Sequence, residues 1–130
     1  MIKRQALLTV LLVGATFAIQ GCVVPAAGGG ADTATYVMGK LEGVEPKDLQ
    51  TVYGATELAV IQLELRIMEK SKDAMSAAIE LRDTEGRKIT INLQTAGEGA
   101  TKISIQVSSS EDERKSRIIY QKIRENLQKK

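Results

Sequence analysis

The chain of 130 residues sets 18 Lys and Arg against 16 Asp and Glu, with no His, one Cys, three Tyr and one Phe. Without His, Ser-His-Asp and Cys-His catalysis and the common zinc sites are excluded, and a lone Cys rules out a disulfide within the chain. Lys3 and Arg4 fall in the first 21 residues with no acid beside them, so the remainder balances 16 cations with 16 anions. That balance leaves no electrostatic footprint for nucleic acid and no polybasic patch for anionic lipid.

Residues 1–21 read as a secretory signal peptide: a cationic start at Lys3 and Arg4, then an apolar run from Ala6 to Ile19. The run is shorter than the roughly 20 residues a membrane span needs. Thr9, Gly14 and Thr16 also interrupt it. The stretch Ile19-Gln20-Gly21-Cys22 resembles the lipobox of bacterial lipoproteins, with Ile19 and Gln20 standing where Leu and a small residue are usual. The resemblance implies cleavage between Gly21 and Cys22, a diacylglyceryl group on the Cys22 thiol, and attachment to a membrane through acylated Cys22. In the lipoproteins it resembles, Asp directly after the Cys retains the protein in the inner membrane. Here that residue is Val23, so the resemblance implies the outer membrane, facing the periplasm, where the source has two membranes.

Residues 22–33 form the next unit, the Cys and a Gly/Ala-rich tether through Val23-Val24-Pro25-Ala26-Ala27-Gly28-Gly29-Gly30-Ala31. A phosphate-cradling glycine loop would need a strand before it and a helix after it, and neither pattern is present. As a flexible coil the tether reaches about 15–18 Å, which keeps the following domain near the bilayer.

Residues 34–130 form one α+β domain. Thr35 to Val44, with Val37, Gly39 and Leu41 in alternation, predicts a first strand. Pro46 to Gln62 predicts a helix whose apolar stripe is Leu49, Val52, Tyr53, Thr56, Ala59 and Val60, with Pro46 in its first turn and Asp48 at its positive end. Four period-two runs follow: Leu63, Leu65 and Ile67; Met75, Ala77, Ile79 and Leu81; Ile89, Ile91 and Leu93; Ile103, Ile105 and Val107. Turn-like stretches at 70–73, 83–86 and 96–99 join them as hairpins. Ser110 and Glu113 form a capping-box pattern opening a second helix, with stripe Ile119, Ile123 and Leu127 flanked by Ile118 and Tyr120. The expected architecture is a two-layer α+β sandwich, an antiparallel sheet in the order β-α-β-β-β-β-α with both helices on one face. It resembles helix-grip and related domains of envelope lipoproteins.

Two further stretches carry a more specific likeness. Glu69-Lys70-Ser71-Lys72-Asp73-Ala74, leading through Ile79 to Asp83-Thr84-Glu85-Gly86-Arg87-Lys88, is one; Gly97-Glu98-Gly99-Ala100-Thr101-Lys102-Ile103-Ser104-Ile105 is the other. With the lipobox and tether they resemble a small family of bacterial lipoproteins catalogued only as a domain of unknown function. The likeness implies the architecture and localisation and brings no catalytic residues, cofactor or metal with it.

Three roles are open on the residues. Thr90, Asn92, Gln94, Lys102, Ser104 and Gln106 fall on the wet side of their strands and make a polar candidate contact surface for an envelope protein partner. A small apolar ligand carrier is the alternative, using a cavity between sheet and helices lined by Met75, Ile91, Ile105 and Ile123. A carboxylate hydrolase is the least supported, because Glu57, Glu64 and Glu80 lie on solvated faces and Glu111-Asp112-Glu113 suits a helix start. The expectation is a non-enzymatic protein with no cofactor and no metal.

Overall fold

In a computed structural model, the structure describes residues 34–108 and 112–129. The predicted signal peptide, with its expected cleavage site at Gly21 and Cys22, and the predicted tether lie outside the described residues, as do Ser109, Ser110, Glu111 and Lys130. The elements are β1 (Thr35–Val37), β2 (Lys40–Glu45), α1 (Leu49–Gln62), β3 (Arg66–Lys72), β4 (Ser76–Arg82), β5 (Lys88–Thr95), β6 (Thr101–Val107) and α2 (Glu113–Gln128). They form an α+β fold with one six-stranded antiparallel sheet in the order β1-β2-β6-β5-β4-β3.

The segment from Thr35 to Val44 is a hairpin of two strands. Val37 pairs with Lys40, leaving Met38 and Gly39 as a two-residue turn with φ of 53° and 81°. Positive φ at both central positions is the type I′ geometry, whose twist matches that of paired strands.

Period two then sorts the sheet into two faces. Leu41 of β2, Ile103 and Ile105 of β6, Ile89, Ile91 and Leu93 of β5, and Ile79 and Leu81 of β4 are buried toward the helices. Each such side chain contributes about 1.5–3 kcal/mol by leaving water. Val52, Ala55, Thr56, Ala59 and Val60 of α1 and Ile119, Tyr120, Ile123 and Leu127 of α2 close the core from the other side. In α1, Ala55 is buried and Tyr53 is only partly covered. In α2, Tyr120 lies within the buried stripe, whereas Ile118 is exposed.

Helix α1 begins later than the Pro46 pattern predicts. Asp48 is the N-cap, its carboxylate accepting from the Thr51 N–H at 3.1 Å, and Pro46 stands two residues before the cap. The other end of α1 corrects the first of the four predicted strand runs. Leu63 is the C-cap, Glu64 takes φ of 57°, the Glu64 N–H bonds the Ile61 carbonyl at 3.1 Å and the Leu65 N–H bonds the Val60 carbonyl at 3.0 Å. This is a Schellman closure, in which the residue two beyond the cap packs back on the helix. Leu63 and Leu65 are therefore apolar cap residues against the core, and the strand starts at Arg66.

Strand β3 is an edge, and it is exposed along its whole length. A bulge between Ile67 and Glu69 shifts its phase, so Lys70 pairs with Ile79 and Lys72 with Ala77 on the helix side of the sheet. There Lys70 donates to Glu57 of α1 at 2.9 Å, and Lys72 donates to Gln50 with its ammonium 5.4 Å from the Tyr53 ring centre. Lysines and a bulge on an edge strand discourage pairing with another chain. Residues 70–72, predicted as part of a turn, thus belong to the strand, and the turn is built by Asp73.

Helix α2 is capped by Asp112, whose carboxylate accepts from the Lys115 N–H at 2.9 Å. Glu113 is accordingly the first helical residue rather than the third, which displaces the predicted Ser110 capping box. Asp serves as well as Ser in this role.

Candidate functional site

Neither helix covers the outer face of the sheet among the described residues. The six polar residues singled out from the sequence lie there on adjacent strands in direct register: Thr90 opposite Gln106, Asn92 opposite Ser104, and Gln94 opposite Lys102. The rows continue outward. Glu80 extends the first toward β4 and Lys40 toward β2; Ala78 and Glu42 extend the second; Ser76 and Val44 extend the third. Residues directly opposite in an antiparallel sheet have Cβ atoms about 5 Å apart, so the six form one continuous hydrogen-bonding surface.

Its charges are paired across strands: Lys102 reaches Glu42 at 3.6 Å and Lys88 reaches Glu80 at 3.4 Å. Exposed pairs of this kind contribute under about 1 kcal/mol. A hollow of about 360 Å³ opens at one end of the face, over Asp73, Ser76, Ala78, Asn92 and Gln94. Amide N–H groups of Met75 and Ser76 each bond the Asp73 carboxylate at 2.9 Å and hold it below the usual carboxylate range. Asp73 is thereby committed to closing the β3–β4 turn.

The predicted apolar cavity loses one wall. Met75 is 63% exposed in the β3–β4 turn, because the Asp73 turn ends before the period-two run begins. Ile91, Ile105 and Ile123 are fully buried within the shared core, and the hollow on the outer face does not reach them. A broader depression of about 760 Å³ lies at the start of α2, along Asp112, Glu113, Arg114, Arg117 and Ile118.

The carboxylates weighed as hydrolytic candidates are apart and engaged. Glu57 is held by Lys70, Glu80 by Lys88 and Asp112 by the α2 cap, while Glu64 stands exposed at the end of α1. Among the described residues no three Cys, Asp or Glu side chains gather at metal-binding distance.

Two buried polar clusters escaped the sequence reading. In the first, Tyr120 donates to the Glu45 carboxylate at 2.8 Å, and Arg124 lies 3.5 Å from the other Glu45 oxygen. In the second, Asp83 has a side chain only 1% exposed. It accepts from the amides of Glu85 and Arg87 at 2.9 and 2.8 Å, from the Arg87 guanidinium at 2.9 Å and from Lys115 at 3.2 Å. Burial alone would raise the Asp83 pKa, but the Arg87 amide, the Lys115 ammonium and the Arg87 guanidinium together hold it at about 2. Arg87 also donates to Asp112 at 2.8 Å, which ties the β4–β5 turn to the first turn of α2. One signal was available for both clusters: Leu41, Gly43, Glu45 and Ile79, Leu81, Asp83 continue the inward period, so an acid on the apolar face requires a partner.

A search of curated proteins finds no match to the chain. A family profile matches residues 5–126, nearly the whole length. The chain belongs to the family described as Protein of unknown function (DUF3568).

Proposed function

We propose that this protein is a lipid-anchored component of the bacterial envelope, held through acylated Cys22, that works by contact with another envelope protein and not by catalysis. The observation that carries the contact role is the register of Thr90, Asn92 and Gln94 with Gln106, Ser104 and Lys102 on a sheet face that neither helix covers among the described residues. Such a surface offers donors and acceptors at fixed spacing, the kind of polar patch that specifies a partner. The anchor rests on the order of cationic start, apolar run, Gly21 and Cys22 in the sequence. Val23 after the Cys favours the outer membrane. Among the described residues no helix is long and apolar enough to cross a membrane.

Photocrosslinking amino acids placed at Asn92 and Ser104, in the full chain in intact cells, test the contact. A discrete adduct from both positions, missing from a probe at exposed Gln121 of α2, supports the reading; identical patterns from all three overturn it. Cys22→Ser tests the anchor. The variant should lose its acyl mass and its tight membrane association, and retention of both would refute lipidation.

A further inference from the structure

The β1–β2 hairpin ends in two apolar side chains for which the described residues provide little cover. Val37 is 53% exposed and Met38 is 94% exposed, the highest exposure among the large apolar residues described. The turn itself makes Met38 a costly choice. A type I′ turn requires positive φ at its first central position, where Asn, Asp or Gly are the usual occupants. Met38 adopts φ of 53° there, with Gly39 at 81° behind it. A residue that opposes both its backbone conformation and its solvent exposure marks a site shaped by something beyond folding.

The place of the hairpin in the chain indicates what that is. Met38 is the fourth residue after Ala34, where the described domain begins, and residues 22–33 separate the domain from Cys22. Fully extended, the chain between Cys22 and Ala34 spans at most about 40 Å. Whatever surface holds Cys22 therefore lies within reach of this hairpin, which follows Ala34 by only a few residues. Lys40, exposed directly across from Val37, adds an ammonium on a long apolar stem, suited to reach a phosphate while the stem stays among apolar groups.

From this we infer that the Val37-Met38-Gly39 tip, with Lys40 beside it, dips into the headgroup region of the bilayer that holds the acyl chains of Cys22. This inference rests on the lipid anchor proposed above. The contact adds a second, shallow point of attachment, and two points set which way the domain faces. Lys40 pairs with Gln106 and Glu45 with Thr101, so the β5–β6 turn around Glu98 lies at the opposite end of the sheet. With the tip at the membrane, that turn points away from it.

The test uses the full acylated chain, added to preformed vesicles of phosphatidylethanolamine and phosphatidylglycerol. Since Cys22 is acylated, Met38→Cys, Val37→Cys and Glu98→Cys each supply a single free thiol for an environment-sensitive fluorophore. Blue-shifted emission at positions 37 and 38, lost to shallow spin-labelled lipid, with emission at 98 unchanged, is the expected result. Aqueous emission at all three positions, in protein that floats with the vesicles and carries the acyl mass, overturns the hairpin contact and leaves the anchor standing. Absence of both flotation and acyl mass overturns the two together. Shifted emission that spin-labelled lipid does not quench, but a second labelled copy does, means that the tip meets another protein molecule, and it overturns the lipid contact.

Discussion

The Tyr120 hydroxyl fills the space in which a side chain at Gly43 would begin: a Cβ there would overlap the hydroxyl and lie 2.8 Å from the ring carbon bearing it. Gly43 thus leaves the room in which Tyr120 of α2 lies against the inner face of β2 and reaches Glu45 at 2.8 Å. Gly43→Ala should cost about 1–3 kcal/mol, the usual penalty for overpacking a filled core. In a Tyr120→Ala background the additional cost of Gly43→Ala should disappear, because the two sites share one space. Denaturant melts of the four proteins in the cycle check this; equal costs in both backgrounds would contradict the packing described.

Glu64 invites the opposite change. It is the left-handed residue of the Schellman closure of α1, with φ of 57°, and its side chain is exposed. Glycine is the preferred residue at that position, since a Cβ there crowds the neighbouring carbonyl by about 1–2 kcal/mol. The greater freedom of glycine in the unfolded chain takes back part of the gain. Glu64→Gly should raise stability by roughly 0.5 kcal/mol, seen as a higher urea midpoint with an unchanged slope.

How much of this was legible beforehand divides along physical lines. The α+β class, the two helices and three of the four inward strand faces follow from period alone, as at Ile89, Ile91 and Leu93, which are all buried. Leu63 and Leu65 alternate like a strand because a helix cap also presents apolar residues two apart, and composition does not separate the two cases. The strand break at Met38-Gly39 lacked the Asn-Gly signal that usually marks a type I′ turn. The Asp83 and Glu45 clusters depend on partners distant in sequence, Lys115 and Tyr120, and no local pattern announces a pairing across that separation. The polar outer face needed only the strand phase, which explains why Thr90, Asn92, Gln94, Lys102, Ser104 and Gln106 fall on one side of the sheet together.

That phase is itself testable. Ile91 is fully buried toward the helices, while neighbouring Asn92 is exposed on the open face. Ile91→Asp should cost several kcal/mol by burying an unpaired charge. Asn92→Asp should stay within about 0.5 kcal/mol. Thermal melts showing similar losses for both would mean that the outer face is covered after all.

Acid sensitivity should centre on Asp83. Its pKa falls from 3.8 to about 2 in the folded protein. A carboxyl with a depressed folded pKa stabilises the fold at pH values above its unfolded pKa, and loses that contribution as pH falls through its folded pKa. The shift corresponds to about 2 kcal/mol, present at neutral pH and lost progressively between about pH 4 and pH 2. Asp83→Asn keeps the shape but removes the charge that Arg87 and Lys115 surround. It should cost about 2–3 kcal/mol at pH 7, in line with charge-assisted hydrogen bonds and short of a fully buried pair because the side chains of Arg87 and Lys115 remain about a quarter exposed. The sharper readout is the slope. Stability of the wild type should drop across pH 4 to 2 by about 2 kcal/mol more than that of Asp83→Asn, because only the wild type must protonate a carboxyl held by four nitrogen donors. Parallel curves for the two proteins would show that the Asp83 network does not carry the acid sensitivity, and that other carboxylates, such as the Asp112 cap, set it instead.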